Sequence, residues 1–217
     1  MTLSRRLAAE VVGTLLLLAT IVGSGIMGER LAGGNVAIAL LANTIATGAI
    51  LFALISAFAN TSGAHFNPLV TVAEAYLGRF PWQQVVPYIA AQSLGAAIGV
   101  AIAHGMFELP IYTTSQHVRA GHAQRLSECV ATFGLLTVIL NCAKHRSEAV
   151  PPVVATYIMA AYWFTASTSF ANPVVTIARS MSDTFSGIRP IDAPAFIAAE
   201  IVGAALAVVL FRWQSGK

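Results

Sequence analysis

The chain reads as an all-α membrane protein: six transmembrane helices plus two re-entrant half-helices, arranged as an inverted 3+3 repeat. Three observations predict this. Of the 217 residues, 57% are hydrophobic and only 10% are charged, where a soluble domain carries about 25% charged residues to cover its surface. Several apolar runs reach the ~20 residues that a helix needs to cross the hydrocarbon layer. An Asn-Pro dipeptide also recurs, at Asn67-Pro68 and Asn172-Pro173. Mean hydropathy is +0.74. Buried core helices of a soluble protein would be shorter and flanked by more charge.

The six spans fall at about 7–27, 36–59, 82–105, 125–142, 151–167 and 194–213. The first follows Arg5-Arg6, which resembles the charged start of a secretory signal. The run Leu7 to Met27 is longer than the ~7–15 residues of such a segment, and it contains Glu10. It is therefore expected to be a retained span. Two further apolar stretches, 67–78 and 172–187, are too short to cross and are expected to be half-helices. The polar stretch Glu108 to Gln124 divides the chain into a first repeat, 1–107, and a second, 125–217, with 108–124 as connecting loop.

The halves match internally. His65-Phe66-Asn67-Pro68-Leu69-Val70-Thr71 aligns with Phe170-Ala171-Asn172-Pro173-Val174-Val175-Thr176. Tyr88-Ile89-Ala90-Ala91-Gln92 aligns with Phe196-Ile197-Ala198-Ala199-Glu200, and Glu10 with Glu128. Each half carries three spans, an odd number, so the second half must enter the bilayer upside down. With both termini cytoplasmic, Arg5, Arg6, Arg79, Lys144, Arg146, Arg212 and Lys217 lie inside, and Arg30, Arg119, Arg125, Arg179 and Arg189 outside. The positive-inside rule favours that orientation.

A formal net charge of +3 without any basic cluster gives no sign of a nucleic-acid partner. Cys129 and Cys142 share one predicted helix, about 20 Å apart at 1.5 Å rise per residue, too far to bridge. Nothing has metal-ligand spacing, and no cofactor is expected. The partners expected are the lipid bilayer and small solutes.

Asn is a favoured N-cap and Pro a favoured first helical residue, so each Asn-Pro marks a helix start. The polar segments before them, Asn60 to His65 and Thr165 to Ser169, predict extended backbone at membrane depth, which is tolerated only where it is buried or lines a wet cavity. Inverted symmetry sets the two helix starts face to face near the bilayer centre. Each N-terminus carries roughly half a positive charge, which opposes cations and is indifferent to neutral hydroxylic solutes. The Asn67 and Asn172 amides are then pore donors, and the carbonyls of Gly63, Ala64, His65, Thr168, Ser169 and Phe170 are pore acceptors.

The segments Gly63-Ala64-His65-Phe66-Asn67-Pro68-Leu69-Val70-Thr71 and Ala171-Asn172-Pro173-Val174, with Ala9-Glu10 at the start of span one, resemble the aquaporin family of major intrinsic proteins. The resemblance covers essentially the whole chain and is strongest toward aquaglyceroporin-type or metalloid-permeable members. The family pattern is Asn-Pro-Ala twice, whereas this chain has Leu69 and Val174 at the third positions. The resemblance implies an aquaporin-like fold and a homotetramer with one pore per subunit. It also implies that Glu10 and Glu128 accept hydrogen bonds from the re-entrant loops. The alternative for those carboxyls is a proton relay in a coupled transporter.

The family's outer constriction usually combines an aromatic residue, a histidine or small residue, a loop residue and an arginine. Counting from the two Asn positions yields Thr47, Ala160, Ser169 and Val175, with Tyr162 in contention if the register slips. Val175 stands where the family usually has arginine. That quartet, without aromatic or charge, implies a wide filter passing water, glycerol, urea-like molecules or undissociated metalloid acids such as arsenite. A water-selective channel and an ion-coupled transporter are the alternatives. Arg179, one turn after Val175, either guards the outer vestibule, pairs with Asp183, or extends to the headgroups. The small residues Gly95, Ala96, Gly99, Gly203 and Ala204 are expected at close helix contacts.

Overall fold

The computed structural model describes residues 1–216; Lys217, counted above among the inward charges, lies outside the described residues. Eight α-helices follow in order among them: α1 (Leu3–Leu31), α2 (Val36–Ser62), α3 (Pro68–Tyr76), α4 (Val85–Met106), α5 (His122–His145), α6 (Val150–Phe164), α7 (Pro173–Arg179) and α8 (Ala193–Gln214). Helices α3 and α7 are the half-helices, and the other six are the spans.

Five of the spans are long and apolar enough to cross a membrane on their own. The remaining span, α6, is shorter than the expected 151–167, with 15 helical residues. At 1.5 Å per residue it covers about 22 Å of a ~30 Å hydrocarbon layer, and the 3₁₀ turn Ser147–Ala149 extends it at one end. It stops at Phe164 because Thr165 is extended (φ −110°, ψ 138°), its hydroxyl donating to the Ala161 carbonyl.

The half-helices also differ from the expected ranges. The second ends at Arg179 instead of running to 187. The next residues, Ser180, Ser182, Asp183, Thr184 and Ser186, offer side-chain oxygens that compete with helical bonding. Ser180 Oγ donates to the Ile177 carbonyl at 2.6 Å, and the main chain turns away through i→i−3 bonds. This segment is stitched to the connecting loop, whose Thr113 and Ser115 N–H groups donate to the Met181 and Ser180 carbonyls.

The two halves pack alike. Helix α1 lies most extensively on α4 and α5 on α8, while α2 meets α6 across the halves. Glycines permit the first two contacts. A methyl group added at Gly95 would strike the backbone carbonyl of Val11, and one at Gly203 the backbone carbonyl of Cys129. Neither backbone can yield cheaply, and overpacking of this kind costs about 1–3 kcal/mol. Gly203→Ala is expected to lower the melting temperature of the detergent-solubilised protein, and an unchanged melting temperature would contradict this packing. The outer surfaces stay apolar, with Ile38, Leu41, Ile45 and Phe52 exposed on α2 and Leu206, Val209 and Trp213 on α8. Such a surface suits lipid rather than water.

Candidate functional site

The loops that lead into α3 and α7 adopt the same backbone. Gly63, Ala64 and Phe66 have φ of 91°, 50° and 47°, and Thr168, Ser169 and Ala171 have 62°, 50° and 50°. This corrects the expectation of simple extended chain. Left-handed conformations at non-glycine residues cost about 1–3 kcal/mol each, so something must hold them. Alternating left-handed residues gather successive N–H groups on one side, a concavity suited to an anion. In the first loop that anion is Glu10. Its Oε1 accepts from His65 N (3.0 Å) and Ser62 Oγ (2.6 Å), and its Oε2 from Phe66 N (2.8 Å) and Gln92 Nε2 (2.8 Å). In the second loop Glu128 accepts from Phe170 N (2.9 Å) and Ala171 N (2.8 Å). Both carboxyls are fully buried.

With the N–H groups turned outward to Glu10 and Glu128, the other side of each loop faces a central cavity of about 100 Å³. Gly63, Ala64, His65 and Phe66 line one wall, and Ser169, Phe170 and Ala171 the other. Thr168 is a correction. It does not line the cavity; its hydroxyl instead receives Arg119 Nη1 at 3.4 Å.

Asn67 and Asn172 both line the cavity. Each side-chain oxygen caps its own half-helix, accepting from Leu69 N (2.9 Å) and Val174 N (3.1 Å). Each amide nitrogen donates across to the opposite loop, Asn67 Nδ2 to the Ala171 carbonyl and Asn172 Nδ2 to the Phe66 carbonyl, both at 2.8 Å. An amide nitrogen has two hydrogens, so one on each Asn is left without a protein acceptor. His65, also on the wall, holds its ring against Phe80 and Tyr88 with Nδ1 3.0 Å from Thr71 Oγ1.

Thr47, Ser169 and Val175 line the cavity as the sequence indicated, but Ala160 does not. It lies exposed on the outward face of α6, and Ile158 and Tyr162 point inward instead. A residue two positions on is rotated by about 200° around a helix of 3.6 residues per turn, so a short slip of register exchanges lipid face for lumen. Tyr162 is buried, and its hydroxyl donates to Thr47 Oγ1 at 3.3 Å.

Arg179 also lines the cavity, so the site holds both an aromatic residue and a charge, which the quartet lacked. It neither pairs with Asp183, which accepts from Gln116 N, nor reaches outward. Side chains on a helix lean toward its N-terminus, and Arg179 follows that slope back past Val175. Its guanidinium lies over the ring of Phe170, 3.4 Å from the centroid, in the loop that precedes the helix. Nε donates to the Ser186 carbonyl, while Nη1 has no protein partner. The hydroxyl of Ser169, in the same lining, is likewise unpartnered.

Sequence reasoning missed Arg119, because a lone arginine in a polar connecting loop reads as solvated. It is buried, with Nε donating to the Gly187 carbonyl (2.7 Å) and Nη1 to the Ser167 carbonyl (3.0 Å). Its backbone N–H donates to Asp192 Oδ2 at 3.0 Å. Hydrogen bonds from Arg189 hold the Asp192 carboxyl below the usual carboxylate range. The connecting loop is thus latched onto the second re-entrant loop.

Comparison with known proteins agrees with this architecture. A family model described as Major intrinsic protein matches residues 1–166. The chain is 54% identical over 211 residues to aquaglyceroporin AqpS of Rhizobium meliloti, covering 97% of this chain and 90% of that protein. It is 31% identical to the probable aquaporin AqpM of Archaeoglobus fulgidus, covering 98% of each. The X-ray structure of the aquaglyceroporin from Plasmodium falciparum shares the fold, with a TM-score of 0.74 at 21% identity, over 100% of this chain and 96% of that one.

Proposed function

Because this chain belongs to the major intrinsic protein family and is a membrane channel for water and small solutes, we propose that its constriction selects small polyhydroxylated neutral solutes. Glycerol, urea-like molecules and undissociated metalloid acids such as arsenite are the solute class, with water passing alongside. The observation that carries this reading is the Arg179 guanidinium over Phe170 on the wall of the cavity, which Ser169 also lines. Together with the spare hydrogens of Asn67 and Asn172 they form a row of donors opposite the loop carbonyls. A solute with several hydroxyl groups can exchange its water contacts for these one after another. Arg179 takes the place of the arginine that Val175 displaces, one turn farther along α7. The fixed positive charge and the two facing helix N-termini disfavour cations. Sequence identity to a protein named aquaglyceroporin supports the polyol assignment.

Tyr162 and Arg179 narrow the aperture relative to the quartet read from sequence, and they are the observations that favour a water-selective channel instead. Stopped-flow light scattering of proteoliposomes with water, glycerol, urea and arsenite separates the two readings. Glycerol and arsenite flux clearly above protein-free vesicles supports the wide reading, and flux of water alone rejects it. Arg179→Leu is expected to change the order of solute permeabilities and admit small cations. An unaltered order would remove Arg179 from the filter.

The same reading places both termini in the cytoplasm, supported by Arg5, Arg6, Arg79, Lys144, Arg146 and Arg212 on the terminal face. It takes 1–107 and 125–217 as the inverted repeats and the assembly as a homotetramer in the cell membrane.

A further inference from the structure

One buried position at which the two halves differ lies beside the loop anchors. In the first half, Gln92 on α4 joins the loop anchor to the half-helix, its Nε2 donating to Glu10 Oε2 at 2.8 Å and to Thr71 Oγ1 at 3.1 Å. The repeat equivalents of these three residues are Glu200, Glu128 and Thr176. Glu200 on α8 is fully buried, as is Glu128. Its Oε1 lies 2.7 Å from Thr176 Oγ1 and so stands where Gln92 has its nitrogen. Its other oxygen has no donor, as the equivalent oxygen of Gln92 has none. Through the repeat, and with α5 packed on α8, Glu200 stands toward Glu128 as Gln92 stands toward Glu10. A carboxylate only accepts, so two ionised carboxylates have no hydrogen to share.

We propose that Glu200 holds a proton on Oε1 and donates it to Glu128, doing for the second pore loop what the amide of Gln92 does for the first. A carboxyl O–H both donates and accepts, so Oε1 gives its hydrogen to Glu128 and takes one from Thr176. The Thr176 hydroxyl then points opposite to that of Thr71, which accepts from Gln92 and donates to the Asn67 carbonyl at 3.1 Å. Both halves thereby present one anionic acceptor, Glu10 or Glu128, to two loop N–H groups. Glu200 is a positioning residue: it touches no solute and acts through Glu128 on the loop of Ser169 and Phe170. Of the elements packed on α8, α5 contributes Glu128 and α7 contributes Arg179, whose positive charge acts on Glu200 from farther off. From α3 the only acid, Glu74, is paired with Arg79 at 3.6 Å.

Removal of that proton leaves two facing carboxylates in a dry site. Since the native state binds one proton more than the unfolded chain, stability falls as pH rises, up to about tenfold in the folding equilibrium per pH unit. The substitution that tests this is Glu200→Gln, which copies the first half. Infrared spectroscopy of the full-length protein in lipid at neutral pH is expected to show a protonated-carboxyl carbonyl band that Glu200→Gln abolishes. Glu128→Gln, which supplies its own amide donor and lets Glu200 ionise, is expected to abolish the band as well. Glu200→Gln should keep wild-type solute flux and lose the fall in melting temperature that the wild type shows toward alkaline pH. Glu200→Leu should lower flux and melting temperature together. A wild type without the band, or Glu200→Gln with the band and the wild-type alkaline profile, overturns the proposal. The spectroscopic and thermal readouts are independent of which solute the channel carries.

Discussion

Glu10→Leu is expected to abolish solute flux and to reduce the yield of folded protein sharply. Its carboxylate accepts from the Ser62 hydroxyl, the N–H groups of His65 and Phe66, and the Gln92 amide. Leucine accepts nothing and fills the same buried space, which leaves four donors without water to turn to. A buried donor deprived of its partner costs about 1–3 kcal/mol. The two N–H groups are also the means by which Ala64 and Phe66 are held at φ of 50° and 47°. Once the loop relaxes toward right-handed or extended conformations, its carbonyls leave the cavity wall and Asn172 loses its acceptor, the Phe66 carbonyl. Swelling assays on proteoliposomes, with melting temperature in detergent, check both parts. Glu10→Gln, which keeps one acceptor oxygen, should fall between. Wild-type flux through Glu10→Leu would mean that the loop is held by something else.

The second large effect is expected from Val175→Arg. Val175 is buried on the cavity wall, one turn before Arg179 on the same face of α7. Arginine there adds length and a second positive charge beside the guanidinium over Phe170, in a cavity of about 100 Å³. Glycerol and arsenite flux should fall by about tenfold or more, a barrier rise of ~1.4 kcal/mol or above, while water flux falls less because one water needs a narrower opening. The ratio of water to glycerol permeability, measured in the same vesicles, is the decisive quantity. A ratio unchanged from wild type would place Val175 away from the limiting section of the pore.

Much of the cavity lining is legible in the sequence. Asn67 and Asn172 could be singled out because N-cap chemistry and proline at the first helical position are local preferences, and because the pair recurs. Thr47, Ser169 and Val175 followed by counting from those anchors. The same counting failed at Ala160, since two residues on an α-helix separate the lumen face from the lipid face. It also fell short at Arg179. The sequence allowed three destinations for that side chain, and the choice depended on the ring of Phe170 and the carbonyl of Ser186, neither of which belongs to its helix. For Arg119 there was no signal at all, because its partners, Gly187, Ser167 and Asp192, lie 48 to 73 residues away.

By itself the sequence determined the membrane class, the number of spans, the two half-helix starts and the doubled plan, because apolar length, capping and repetition are written in neighbouring residues. It even contained the Gln92 and Glu200 mismatch. Only the tertiary structure decided which charge lines the central cavity, which face of α6 turns to it, where α7 stops, and that Glu200 is buried against Thr176. Those outcomes depend on helix rotation and on loops packing against distant chain, where the partner that completes a hydrogen bond is chosen by space and not by order along the backbone.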